Sequence, residues 1–180
     1  ATSGGNTKNG ATGIHVGGIV GFSSNKSNTT AVVTIAECAN YGDLDTQVAR
    51  ASGIVAQTQG AYRISGCTFS GAIESTDATK RAVVIGGIMA MADKECVGLV
   101  EGCTFSGRIS AAQAGANNFF GGIYGNNGGA ASVVNDCRTT ASAYVGCPIG
   151  KSVGMLAGRP NKKGFTVSNC RIAGTVTNKQ

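Results

Sequence analysis

The sequence predicts an all-β fold, a parallel β-helix of about five coils with roughly 34 residues per coil. Three observations predict it. A Gly-Gly-apolar-apolar-Gly/Ala motif recurs as Gly17-Gly18-Ile19-Val20-Gly21, Ser52-Gly53-Ile54-Val55-Ala56, Gly86-Gly87-Ile88-Met89-Ala90, Gly121-Gly122-Ile123-Tyr124-Gly125 and Val153-Gly154-Met155-Leu156-Ala157. A second motif, apolar-x-x-Cys with another apolar position six residues later, follows each copy of the first. Apolar residues alternate, as in Val33-x-Ile35 and Phe165-x-Val167, instead of recurring every three or four residues as a helical repeat needs. A fixed period of this length means stacked units, none of which buries its own apolar face alone.

Three short strands per coil are expected: the glycine-rich run, the segment before the cysteine and the segment after it. Between the last two stand Glu37, Gly66, Gly102, Asp136 and Asn169, which let the chain turn a corner. The stretches 22–31, 75–84, 111–119 and 158–164 vary in length and composition and read as loops on a constant scaffold. One domain spans 1–180, with coils at approximately 14–45, 46–74, 75–110, 111–144 and 145–177. The first 13 residues read as the tail of an incomplete coil.

Stacking in register at about 4.8 Å turns equivalent residues into ladders. Ile35, Ile64, Val100, Val134 and Val167 form one, and Leu44, Ile73, Ile109, Ala143 and Val176 a second, with Ala143 a weak rung. Cys38, Cys67, Cys103, Cys137 and Cys170 form a third, expected to face inward as small apolar side chains and not to cross-link. Their spacing is the interval of the fold itself, without a Cys-x-x-Cys pair, which argues against a metal site. Cys96 and Cys147 fall outside the ladder; they either pair with each other or remain separate thiols.

The two motifs together resemble the GLUG repeat of large bacterial surface proteins, including filamentous haemagglutinin-like adhesins and non-catalytic regions of immunoglobulin A metallopeptidases. The resemblance runs from about Ile14 to Thr177. It implies a right-handed parallel β-helix outside a bacterial cell, often within a longer array, and it transfers no catalytic residue. The second and fifth coils depart from the pattern by losing a glycine of the first motif.

Composition is compatible with this fold. The chain has 29 glycines, no tryptophan and 13% charged residues, yet 42% apolar content is too high for disorder. No apolar run is long enough to span a membrane, and no signal peptide opens the sequence. No amphipathic capping helix is visible, so exposed solenoid ends are expected to meet a neighbouring domain or an identical chain.

Candidate chemistry is sparse. His15 is the one histidine and lacks catalytic partners near it in sequence; it reads as a strand-edge residue. The glycine motif recurs in every coil and so reads as backbone packing inside a strand instead of a phosphate loop. Two sequons, Asn25-Lys26-Ser27 and Asn28-Thr29-Thr30, read as polar loop. Asp43 and Asp45 flank Leu44 and point outward, with Glu74 beside Asp45 on the next coil and Arg108 beyond; the ladder then continues as Ser110, Tyr144 and Thr177. Paired carboxylates can act on a glycoside or hold calcium, but this ladder is short and reads chiefly as a solvated face.

From Cys137 onward there are seven basic residues, Arg138, Lys151, Arg159, Lys162, Lys163, Arg171 and Lys179, and no acid. Arg159, Lys162, Lys163 and Arg171 are the candidate binding set for an anionic glycan; the alternative role is solubility and edge protection. Nucleic acid is not expected, because the patch lacks interleaved aromatic residues. No cofactor is expected. The leading expectation is a non-catalytic extracellular module, structural or adhesive, binding a host or cell-wall glycan or protein. The alternatives are a polysaccharide-processing enzyme and a subunit that stacks end to end.

Overall fold

The computed structural model describes residues 14–25, 31–76, 83–93, 96–111, 118–128, 131–147, 152–160 and 164–178. Among them there are strands and no helix. The first coil holds β1 (His15–Gly17), β2 (Val20–Ser24), β3 (Val32–Ala36), β4 (Ala39–Asn40) and β5 (Leu44–Thr46). The second holds β6 (Arg50–Ser52), β7 (Val55–Gln59), β8 (Ala61–Ser65), β9 (Thr68–Phe69) and β10 (Ala72–Ser75). The third holds β11 (Val84–Gly86), β12 (Met89–Ala92), β13 (Gly98–Glu101), β14 (Thr104–Phe105) and β15 (Arg108–Ala111). The fourth holds β16 (Phe119–Gly121), β17 (Tyr124–Asn127), β18 (Ser132–Asn135), β19 (Arg138–Thr139) and β20 (Tyr144–Cys147). The last holds β21 (Ser152–Gly154), β22 (Ala157–Arg159), β23 (Thr166–Ser168) and β24 (Thr175–Asn178).

Each strand pairs in parallel with its counterpart one coil away, giving four sheets of five strands and one of four. Five rungs are stacked, spanning four full turns of a β-solenoid. The expected three strands per coil become five in the first four coils, because the glycine-rich run and the segment after the cysteine each divide in two. The Gly-Gly motif is not inside a strand: Gly18-Ile19 and its counterparts bend between the first and second sheets. Backbone bonding to the next coil continues through that bend, as in Gly18 N to Ser52 O (3.0 Å) and Val20 N to Ile54 O (2.9 Å).

The reason for glycine at the bend lies on the opposite wall. Phe69 and Phe105 of the fourth sheet stack with ring centroids 6.1 Å apart, and their rings fill the places where side chains on Gly53, Gly87 and Gly122 would stand. Asn40, in the same column, donates from Nδ2 to Gly53 O (2.8 Å). The motif thus exchanges its own side chains for aromatic rungs that cross the core.

Ladder register follows the sequence except at one rung. Ile35, Ile64, Val100, Val134 and Val167 pair in order. In the other ladder Leu44, Ile73 and Ile109 are continued by Val145 and then Val176, so Ala143 is not a member. A turn at Ala141-Ser142, closed by Ala143 N to Thr140 O (3.0 Å), inserts two residues before β20. The same shift puts Gly146, not Tyr144, in the Glu74 column. Tyr144 stands instead in the column of Arg108, whose guanidinium lies 4.1 Å from its ring centre.

Cys67, Cys103 and Cys137 are buried, while Cys38 and Cys170, on the first and last rungs, are half-buried. Each sulfur lies against the carbonyl two residues earlier in its own coil, as with Cys103 and Glu101 O (3.2 Å). All seven cysteines are thiols, so the ladder carries no cross-link and Cys96 and Cys147 do not form a disulfide. Cys96 and Cys147 are both buried, Cys147 accepting from Asn118 Nδ2 at 3.8 Å.

Candidate anion-binding corner

The corner before each ladder cysteine requires a residue with positive φ. Glu37 (54°), Gly66 (61°), Gly102 (59°), Asp136 (50°) and Asn169 (54°) all adopt it, the residues expected from sequence to turn the chain. For non-glycine residues this left-handed region costs about 1 kcal/mol or more, and Asp and Asn tolerate it best. The conformation turns the residue after the cysteine outward in every coil. That position is Ala39, Thr68, Thr104, Arg138 and Arg171, paired in order along the fourth sheet and its final bridge.

Arg138 and Arg171 therefore stand on adjacent rungs about 4.8 Å apart, both exposed. Arg138 is fixed: its Nε donates to Thr104 Oγ1 at 2.9 Å. Among the described residues no carboxylate forms an ion pair with either arginine. A cleft of about 280 Å³ opens beside them, lined by Gly102, Thr104, Asp136, Cys137, Arg138 and Arg171. Two like charges at that separation repel, and an anion bridging them relieves the repulsion.

Lys162 and Lys163 lie outside the described residues, as do Lys151, Lys179 and most of the two sequons. Arg159 is on the second sheet, its guanidinium 4.8 Å from the centre of the Phe119 ring, and so belongs to a different wall from Arg171. Of the expected basic set, the two described members, Arg159 and Arg171, stand on different walls. Arg138 was countable among the basic residues but not recognisable as a site; its signal was its place directly after a ladder cysteine, shared with Arg171.

Asp45 and Glu74 are register partners, as the ladder alignment required. Asp43, however, accepts a backbone bond from Ala72 N at 2.7 Å, which ties its carboxylate to the next coil. Arg108 is one rung beyond Ala72, occupied with Tyr144. His15 Nε2 lies 2.9 Å from Arg50 Nη1, and burial, with the Arg50 charge next, lowers its pKa. Arg50 also donates to Gln57, whose amide donates to Asp93 Oδ1 at 2.9 Å. No group of three or more His, Cys, Asp or Glu arranged to hold a metal occurs among the described residues.

Within the thiol stack, hydrogen bonds with Cys137 and Cys67 raise Cys103 far above the ordinary thiol range, and burial adds to this. The same bonds pull Cys67 and Cys137 downward. Burial raises Cys38 and Cys170. Cys137, the residue before Arg138, also lines the cleft.

No family model matches the chain, and neither does any curated protein or solved structure. No helix among the described residues is long and apolar enough to cross a membrane.

Proposed function

We propose that this chain is a non-catalytic surface module whose corner ladder binds an anionic glycan. The observation that carries the reading is the Arg138–Arg171 pair, two exposed guanidinium groups in register beside a cleft. The GLUG-like repeat, an adhesin-type signature in sequence, supports an extracellular bacterial setting. A solenoid suits such a role because successive coils offer side chains at a constant interval to a polymer lying along the column.

The test is a glycan array followed by titration of the acidic hits. Binding without release of reducing or unsaturated ends is expected, and raising salt weakens it. Replacing both arginines by alanine lowers affinity by at least about tenfold, since each charge-assisted hydrogen bond contributes about 1.5–3 kcal/mol. Turnover by the wild type, lost in Asp45→Asn, would favour the enzyme reading instead.

End-to-end assembly is a second reading, favoured by core-ladder residues left exposed on the last coil, Val167 and Val176. Sedimentation over a range of concentrations tests it, and a single monomeric species throughout would eliminate it.

A further inference from the structure

The column of left-handed corner residues contains two glycines, and their surroundings differ. Over Gly66 lies the carboxylate of Glu37, reaching across from the preceding coil: a Cβ on Gly66 would fall on its Oε1, Cδ and Oε2 atoms. Gly102, one rung further, has no such cover. A Cβ there would meet only the amide nitrogen of Gly66, 3.8 Å away. The bare surface opens on the cleft lined by Thr104, Asp136, Cys137, Arg138 and Arg171. Asp136 does not fill it, since none of its atoms comes within 4 Å of that position.

The fold therefore contains its own template. At Gly66 a carboxylate rests on a glycine corner where the outer rungs carry Ala39 and Thr68. At Gly102 the same backbone surface is uncovered, and the outer rungs nearby carry two arginines. We infer that the hollow at Gly102 is a carboxylate subsite, occupied by a uronic acid unit of a glycan that lies along the corner ladder. This rests on the anionic-glycan reading above and specifies which group of the ligand is held and where.

The orientation of Arg138 fits the assignment. Its Nε is committed to Thr104, which leaves the two terminal nitrogens of the guanidinium for a bidentate carboxylate. Arg171 supplies a second cation one rung on, and Thr104 and Thr68 offer hydroxyls in the other direction. The interval favours sugar over an acidic peptide. A pyranose unit advances a chain by about one coil rise, whereas side chains on one face of an extended peptide recur at about 6.6 Å against a rise of about 4.8 Å.

The experiment moves the internal carboxylate. In the double variant Glu37→Gly/Gly66→Glu the carboxylate starts one coil later and covers Gly102 as Glu37 covers Gly66. Oligogalacturonate, with neutral galactose oligomers as control, is titrated against wild type, this variant, Glu37→Gly alone and Arg138→Ala/Arg171→Ala. The double variant is expected to lose at least about tenfold in affinity, while Glu37→Gly, which uncovers a hollow without arginines, stays within about twofold of wild type. If the double variant does not fold, Gly102→Asn blocks the hollow with a residue type that already sits at φ 54° in this column as Asn169, and the same loss is expected.

Unchanged affinity in the blocked variants, with binding abolished in the arginine double variant, would overturn the subsite and leave the anionic-glycan reading standing. Failure of wild type to bind oligogalacturonate or any other uronate-containing oligosaccharide would overturn both. Equal competition by polyglutamate would overturn the choice of glycan over peptide.

Discussion

The central coils and the last coil carry the same ladders with opposite exposure. Ile64, Val100 and Val134 are fully buried, as are Ile73, Ile109 and Val145. Val167 and Val176 occupy the next rungs in the same registers and are 46% and 43% exposed. Residue type is nearly constant along each ladder, so the difference comes from the neighbour above. A rung is buried by the coils on either side of it, and a coil alone buries little. The first coil is intermediate: Ile35 and Leu44 are almost buried, yet Ile19, Phe22 and Val32 are exposed.

The largest expected effect separates these two regions directly. Ile109→Asp places an unpaired charge where the side chain is fully buried, and a loss of about 5 kcal/mol or more unfolds the central coils. Val176→Asp, two rungs along the same ladder, leaves the charge in contact with water and costs under about 1 kcal/mol. Thermal melts of both variants measure this. Comparable losses would mean that burial within the ladder is not what holds the coils together.

The same contrast applies inside a single column. Phe105 is fully buried between coils and packs on Phe69 and on the bends at Gly87 and Gly122. Phe105→Ala is expected to cost about 3–5 kcal/mol, a cavity plus lost burial. Thr139, the next residue in that column, donates from Oγ1 to Ala173 O at 2.6 Å, and Thr139→Ala costs about 1 kcal/mol. Denaturant melts with unchanged slopes decide between them. A Thr139 loss equal to that of Phe105 would place the weight of this wall on hydrogen bonding.

These columns also mark what the sequence can and cannot convey. Ladders of large aliphatic residues were legible because alternation and period agree, and the corner residues were legible because few residue types accept positive φ. The two-residue strands Thr68–Phe69 and Thr104–Phe105 were not, since two residues cannot alternate visibly. The bend at the Gly-Gly motif was also hidden, because its cause is an aromatic ring distant in sequence, Phe69 for Gly53 and Phe105 for both Gly87 and Gly122. Val145 displaced Ala143 through a two-residue insertion that a fixed six-residue spacing cannot register. The corner site needed pairing information: Arg138 and Arg171 are 33 residues apart in sequence and adjacent only once the coils are stacked.

Alkali tests the interior from another direction. Burial pushes the Tyr62 hydroxyl up to about 12, with its bonds to Ser132 and Tyr124 drawing it back. Tyr124, buried beside it, is raised as well. A raised folded-state value means that folding requires the neutral phenol. Its contribution is complete below the ordinary tyrosine value near 10 and is lost as pH rises from there to about 12. Tyr62 alone accounts for roughly 3 kcal/mol of that loss. Urea melts across this window should show stability falling, with a shallower fall in Tyr62→Phe. An identical fall in the variant would assign the alkaline loss to other groups.

The smallest expected effect belongs to the outer face. Arg63 and Glu101 form an ion pair across adjacent coils, with the arginine side chain 55% exposed and the glutamate 25%. Water and salt screen such a pair, so Glu101→Gln should cost under about 1 kcal/mol. In a chain of this length that corresponds to a fall in Tm of about 2–4 °C at most. The position sharpens the contrast with Ile109 because both residues lie in the third coil and differ chiefly in which way the strand turns them. A loss above about 2 kcal/mol in thermal melts would mean that the outer ladders share in holding the coils in register, and that binding-site variants on the corner sheet must then be judged against their own stability.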